Sequence, residues 1–261
     1  MKITINNNKD IKKMKFICKK ASETLEMISL YIKPGITTEK IDTLCHDFII
    51  NYQDSSSACL GYQSFPKSIC TSINDVVCHG IPNNKTLKEG DIINIDVTLH
   101  KDGFYGDTSK MFLVGNKHNN KIKILCKETL RSLYIAIKLV KPGIRLGILG
   151  KNIQKHAEKK GLSIVRNYCG HGIGKNFHED PMVLHYDYYD NGIILKKGMI
   201  FTIEPMLNIG KFDTYLDHDG WTVRTMDKKL SAQYEHTILV TESGYEILTL
   251  RNNENINYVK I

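Results

Sequence analysis

The sequence predicts an α+β fold built as one domain over residues 1–261, with two related halves at roughly 10–115 and 119–250. Three observations predict it. Stretches of helical periodicity alternate with short hairpins of β-branched and apolar residues. The stretch Leu87-Lys88-Glu89-Gly90-Asp91-Ile92-Ile93-Asn94-Ile95-Asp96 returns as Leu195-Lys196-Lys197-Gly198-Met199-Ile200-Phe201-Thr202-Ile203-Glu204, and Lys33-Pro34-Gly35-Ile36 returns as Lys141-Pro142-Gly143-Ile144, both 108 residues on (195 − 87; 141 − 33). A third echo, His79-Gly80-Ile81 against His171-Gly172-Ile173, keeps the same order at an offset of 92 (171 − 79). Because Asp96 maps onto Glu204, a duplicated fold would bring one acid from each half to the pseudo-two-fold axis.

Taken in order, the first helix is expected over Asp10 to Ile32, with Ile11, Met14, Ile17, Cys18, Ala21, Leu25 and Ile28 on one face and lysines opposite. Pro34 and Gly35 stop it. Thr37-Thr38-Glu39 opens a second helix, with a threonine cap and an early acid, running to about Asn51. From Ser55 to Gly80 the chain is polar and loop-rich, with Cys59, Tyr62, Phe65 and Cys70 interspersed; such side chains either line a pocket or pin a loop to the core. Residues 69–73 and 76–78 read as short strands leading to His79. Leu87 to Phe112 reads as a hairpin reversing at Lys101-Asp102-Gly103. With Lys101-Asp102 as its two-residue loop, Asp96 would face Asp107 directly, and two like charges among apolar neighbours ask for a cation.

The second half repeats the scheme. Helices are expected from about Asn119 to Val140 and from about Leu146 to Lys160, the latter closed by Gly161. Leu162 to Asn167 is strand-like. Leu195 follows His171 by 24 residues (195 − 171), whereas Leu87 follows His79 by only 8 (87 − 79), so His178 belongs to an insertion without a first-half counterpart. A last hairpin runs out on 200–204 and back on 233–240, making Glu204 and Glu235 the second half's acidic pair. The only tryptophan, Trp221, lies in the excursion between them, after an Asp219-Gly220 turn signal.

Composition excludes several classes. With 41% apolar and 25% charged residues the chain is ordinary globular material, not a disordered one. A net charge of +8 fits a lysine-rich solvated surface, and it is also compatible with an anionic partner such as ribosomal RNA. Seven cysteines with no Cys-x-x-Cys pair imply a reducing, cytoplasmic setting. No apolar run has membrane-spanning length, and Met1 to Asp10 carries no signal-peptide core, so no membrane partner is expected.

Asp96, Asp107, Glu204 and Glu235, with His171 and either His79 or His178, form a hard, oxygen-rich set. Such donors suit Mn, Fe(II), Co or Zn, and four negative charges suit two divalent ions better than one. Two adjacent ions can lower the pKa of a water and hold it for attack on a carbonyl. His171 stands out from the other histidines by its Gly-flanked position and its echo of His79.

In order and spacing, Asp96, Asp107, His171, Glu204 and Glu235 resemble the five ligands of the dinuclear pita-bread metallopeptidases, and over essentially the whole chain the sequence resembles the type I bacterial methionine aminopeptidases. The signatures are residues 74–82 (Asn-Asp-Val-Val-Cys-His-Gly-Ile-Pro), 170–174 (Gly-His-Gly-Ile-Gly), His178-Glu179-Asp180-Pro181 and Phe201-Thr202-Ile203-Glu204-Pro205. The resemblance implies a curved antiparallel sheet flanked by helices in two pseudo-symmetric halves. It also implies removal of the initiator methionine from nascent polypeptides with a small second residue, by a monomeric enzyme.

For individual residues it implies that Asp96 chelates one metal, that Asp107 and Glu235 bridge both, and that His171 and Glu204 complete the other. Glu204 would also relay a proton, His79 would contact the substrate backbone, and His178 would stabilise the tetrahedral intermediate. The methionine pocket would be lined by Cys59, Tyr62, Phe65, Cys70, Phe177 and Trp221, a wall of aromatic edges and sulfur suited to a thioether. Phe65 and Gln63 depart from the tyrosine and histidine common in the family and bear on affinity. A monovalent cation would sit on carbonyls of Asn74, Val76 and Ser231.

X-Pro aminopeptidases and prolidases share the five ligands but usually carry a large N-terminal domain. Type II methionine aminopeptidases carry a helical insertion where only 33 residues separate His171 from Glu204 here (204 − 171). A non-catalytic RNA-binding or chaperone relative would usually have lost ligands.

Overall fold

A computed structural model describes residues 3–189, 191–252 and 254; the ends of the expected 1–261 domain lie outside the described residues. Helix α1, Asn8–Ser29, starts two residues before the expected Asp10 because the Asn7 side chain accepts from the amides of Lys9 and Asp10. It stops before Ile32, ahead of Pro34. Helix α2, Thr38–Asp47, has Thr37 as its cap and passes into a π-helical turn, Phe48–Tyr52. Helices α3, Asn120–Leu139, and α4, Gly147–Lys159, fall within a residue or so of the expected bounds. Among the described residues no helix is long and apolar enough to cross a membrane.

The first-half strands are β1 (Ser56–Ser57), β2 (Cys70–Ile73), β3 (Val76–Cys78), β4 (Ile92–Lys101) and β5 (Phe104–Leu113). Strand β4 is the hub of one sheet, pairing antiparallel with β1, β2 and β5. The second-half strands are β6 (Ser163–Ile164), β7 (Gly170–Gly172), β8 (Glu179–Val183), β9 (Ile200–Ile203), β10 (Met206–Asn208), β11 (Thr214–Leu216), β12 (Val223–Thr225), β13 (Ser231–Gln233), β14 (His236–Val240) and β15 (Tyr245–Ile247). They form a five-stranded sheet in the order β15-β14-β9-β7-β8 and two three-stranded sheets, β13-β10-β6 and β11-β12-β3. The β9–β14 and β10–β13 ladders keep one register, His236 opposite Ile203 and Gln233 opposite Met206, so Glu204 and Glu235 come opposite each other where they meet.

The hairpin of the first half corrects the expected register. Its loop is Asp102-Gly103, with φ of 51° and 78°, because a two-residue loop twisted to suit its strands needs positive φ at both positions. Asp96 therefore faces Ser109, and Asp107 faces Thr98, which makes Asp96 and Asp107 diagonal rather than direct neighbours. Diagonal positions still share one face of the sheet. Of the expected strand over Leu162–Asn167, only Ser163–Ile164 pairs, with β10.

The echoed segments make the same backbone contacts. Gly35 N donates to Leu87 O at 2.9 Å and Gly143 N to Leu195 O at 2.9 Å. Isolated bridges join Thr37 to Thr86 and Arg145 to Ile194, each partner displaced by 108 (145 − 37; 194 − 86). Gly90 and Gly198, both at positive φ, donate to Val114 O and Val240 O. One apolar core lies under each half: Met14, Ile17 and Leu25 of α1 against Ile93, Ile95 and Phe104, and Leu133 and Ile137 of α3 against Phe201 and Leu207. The basic face of α1 thus stays outside while its apolar face packs on the protein's own sheet. Gly106 permits the approach, since a Cβ there would lie 2.7 Å from the backbone of Ile17 and Cys18.

Candidate metal centre and active site

The two halves meet over a cavity of about 530 Å³, and every side chain singled out from the sequence as ligand, proton carrier or pocket wall lines it. Its floor is acidic. Asp107, Glu204 and Glu235 are buried, and ligand atoms of Asp107, His171 and Glu235 all lie within 4.8 Å of one another. His171 Nε2 stands 3.6 Å from Asp107 Oδ2 and 3.8 Å from Glu204 Oε1. Its Nδ1 lies 2.9 Å from the carbonyl of Gly172, which can only accept, so Nδ1 carries a proton and Nε2 faces the carboxylates.

Electrostatics set this floor apart. Burial, then the neighbouring charge of Asp107, holds Asp96 well above the ordinary carboxylate range. Burial together with Asp107, Glu204 and Asp96 does the same to Glu235. Glu204 is pushed up to about 7, mainly by burial, with His171 partly offsetting it. Burial opposes protonation of His171, yet the hydrogen bond and charge of Asp107 and the charge of Glu204 outweigh it and raise its pKa. One imidazole cannot neutralise four carboxylates, and Oδ1 of Asp96 is buried without a hydrogen-bond partner. A fixed, oxygen-rich set with an orphaned acceptor is what divalent cations satisfy, so the residues present fit such ions.

The apolar wall comes mostly from the loop-rich stretch before β2, with Cys70 as the first residue of that strand, as the scatter of Cys59, Tyr62, Phe65 and Cys70 allowed. Phe65, Cys59 and Cys70 form a buried cluster against which Phe177 and Trp221 pack, and the Phe65 and Trp221 rings meet edge-on at 5.1 Å. His79 adopts positive φ, 56°, and its ring meets those of Tyr168 and Trp221 edge-on. Burial lowers its pKa to about 4, so it is neutral at physiological pH. His178 sits 2.9 Å from the Tyr62 hydroxyl through Nδ1, its ring 4.3 Å from that of His171. Burial and His171 push its pKa down too. Away from the cavity, the carbonyl of Asn74 accepts from Ser231 N at 2.9 Å, and Ser231 Oγ is buried without a partner; Val76 begins the strand two residues on.

Several supporting residues were not singled out from the sequence. Thr98 donates to Asp107 Oδ1 at 2.8 Å. Thr202 donates to Glu204 Oε1 at 2.8 Å and accepts from His171 N at 3.0 Å. Gln233 donates to Glu204 Oε2 at 3.2 Å, and His185 Nε2 accepts from Glu204 N at 3.1 Å. Thr98, Thr202 and Gln233 are strand residues, each two positions from an acid that lies on the same strand or just beyond its end. The period-two rule that puts such pairs on one face was the available signal. His185 lies on no strand and carried none.

Comparisons with known proteins agree with this geometry. The model of metallopeptidase family M24 matches residues 12–242. A methionine aminopeptidase of Salmonella typhimurium is 59% identical over 257 residues, covering 98% of this chain and 97% of that one, and its Escherichia coli K12 counterpart is 57% identical over the same share. The crystal structure of methionine aminopeptidase from Rickettsia prowazekii superposes with a TM-score of 0.93 at 52% identity, over 95% of this chain and 100% of that one. A prolidase from Pyrococcus horikoshii shares the fold alone, with a TM-score of 0.76 at 23% identity, this chain matching 64% of its length. The chain belongs to metallopeptidase family M24, with the pita-bread fold, among the type I methionine aminopeptidases.

Proposed function

We propose that the protein removes the initiator methionine from nascent polypeptides whose second residue is small, as a monomer in the cytoplasm. The observation that carries this is a buried carboxylate–imidazole cluster, Asp107, His171 and Glu235, at the floor of a cavity whose wall is sulfur and aromatic edge. Asp96, Asp107, His171, Glu204 and Glu235 would hold two divalent ions, with Asp107 and Glu235 shared between them. Mn, Fe(II), Co and Zn all suit these donors. When bound, such ions acidify water and polarise the scissile carbonyl.

The remaining work falls to the chain itself. Cys59, Tyr62, Phe65, Cys70, Phe177 and Trp221 receive the methionine side chain and exclude water from it. Glu204 would take a proton at its carboxylate and return it to the leaving amine. His79, kept neutral by burial, would present a ring nitrogen to the peptide backbone beside the scissile bond. In the tautomer that this role requires, the Tyr62 hydroxyl, 2.9 Å from Nδ1, is the donor, and neutral His178 offers its Nε2 proton to the charge developing on the carbonyl oxygen. The matched contacts at an offset of 108 support an internal duplication with halves near 10–115 and 119–250 inside one catalytic domain. The Asn74, Val76 and Ser231 corner would hold a monovalent cation.

Metal-loaded protein offered Met-Ala-Ser, Met-Lys-Ser and Ala-Pro-Ser side by side tests this reading. Release of methionine from the first alone, abolished in Asp107→Asn, is the expected result; cleavage of Ala-Pro-Ser would move the chain to the X-Pro branch. Docking on the ribosome through the lysine-rich surface is a further part of the proposal, motivated by the net charge of +8. It requires cosedimentation that weakens with salt, and salt-independent or absent association sinks it.

A further inference from the structure

We infer that Arg251, paired with Glu254 in the segment after the last strand, is a positioning residue that fixes the distance between the carboxylates of Asp107 and Glu235. The inference rests on the reading of those two acids as shared metal ligands. They come from different sheets: Asp107 from β5, which pairs only with β4, and Glu235 from the residue before β14. Among the described residues no strand ladder joins β5 to β14, so the spacing of the two acids depends on a few cross-links. Glu235 N donates to Ser109 O at 3.1 Å. The Thr108 hydroxyl donates to Glu235 O at 2.8 Å, and the Thr237 hydroxyl to Asp107 O at 2.7 Å.

The Arg251 guanidinium closes this set from behind the cavity. Nη1 donates to Thr108 Oγ1 at 2.9 Å, fixing the hydroxyl that reaches Glu235, and Nη2 lies 3.3 Å from Nε2 of His236. One planar group thus touches the residue after Asp107 and the residue after Glu235. Its remaining edge is taken by Glu254, through Nε at 2.9 Å and Nη2 at 2.7 Å to Oε1. Arg251 is 3% exposed and lines no part of the cavity, so it meets neither solvent nor substrate. A buried ion pair is a poor source of net stability, because desolvation offsets its attraction. A rigid fork supplies direction instead, which a lysine ammonium cannot reproduce on three sides at once.

The test titrates apoprotein with Co²⁺ alone, reading calorimetric affinity and the visible absorption of the bound ion at 25 °C. The proteins are the parent, Asp107→Asn, Arg251→Met, Arg251→Lys and Thr108→Val. Parent and Asp107→Asn decide the ligand reading by themselves: equal affinity in the two would sink it, whatever Arg251 does. Arg251→Met is expected to bind Co²⁺ about 10- to 100-fold more weakly with an altered visible band. Arg251→Lys, keeping a charge beside Glu254, should recover only part of that loss. The KM for Met-Ala-Ser should hold within about twofold while kcat falls, since the pocket wall is untouched. A lowered melting temperature with parental affinity and spectrum would mean a merely structural role and overturn the inference. Should Arg251→Met fail to fold, the near-isosteric Thr108→Val decides: weaker Co²⁺ binding supports the clamp and unchanged binding refutes it.

Discussion

The two acidic pairs occupy equivalent places in the two halves, yet they are built differently. Asp96 and Asp107 sit diagonally across β4 and β5, whereas Glu204 and Glu235 come directly opposite each other where two ladders share a register. The support also differs. Glu204 has both carboxylate oxygens bonded, to Thr202 and Gln233, while Asp96 leaves Oδ1 buried and unbonded. The second half therefore holds Glu204 in place by itself, and the first half leaves Asp96 in need of an external cation. On the proposed roles, preorganisation is concentrated on the acid that would carry a proton, and unsatisfied acceptor capacity on the acid that would only bind.

Exchanging carboxylates for amides should give the largest effects. Asp107→Asn and Glu235→Gln each remove a charge that both metal positions would use, and turnover of Met-Ala-Ser should fall by roughly a thousandfold or more. If Asp96→Asn cost as much as these two, the contrast between shared and unshared acids would be wrong. Next come the supporting hydroxyls. Thr202 links two expected ligands, His171 and Glu204, whereas Thr98 holds Asp107 alone. Thr202→Val should thus lower kcat by about 10- to 100-fold and Thr98→Val by less, with KM little changed in either. Steady-state kinetics showing the reverse order would break the comparison.

The halves were equally legible in outline and unequally so in detail. The repeats at 108 residues exposed the outgoing strand of each hairpin with Asp96 and Glu204, because backbone turns that depend on Gly35, Gly90, Gly143 and Gly198 leave a mark in sequence; Asp107 came from the return strand of the first hairpin and Glu235 by analogy with it. For the second hairpin, Glu204 and Glu235 are paired in sequence by analogy with the first, and the ladders place them opposite each other. In the first the register was misplaced by one residue on each strand, since Lys101-Asp102-Gly103 allows two choices of loop and only backbone φ separates them. The wall formed by Cys59, Phe65 and Trp221 draws on loops far apart in the chain, so spacing alone could not assemble it. His185 and Arg251 act from outside any periodic segment, and nothing local announced that they support the acids.

The smallest expected effect concerns the metal-free protein, where the supported acid of the second half becomes a liability. Glu204 is raised from an ordinary value of 4.5 to about 7, chiefly by burial. A carboxyl whose folded pKa is raised contributes most below its unfolded value, and that contribution is lost as pH rises through the folded value. Above about pH 7 the buried charge therefore costs the chelated protein on the order of 3 kcal/mol, and below about pH 4.5 it costs nothing. Chelated Glu204→Gln should melt several degrees above the chelated parent at pH 8, and the gap should close on acidification through the interval between those values. Histidines kept neutral by burial, such as His79 and His185, lower stability in acid in both proteins, which is why the difference between them is the quantity to follow. Calorimetric melts at pH 8, 6 and 4.5 would measure it. A gap independent of pH would show that the amide acts through packing or its bonds to Thr202 and Gln233, and that burial of the Glu204 charge is not the source of the difference.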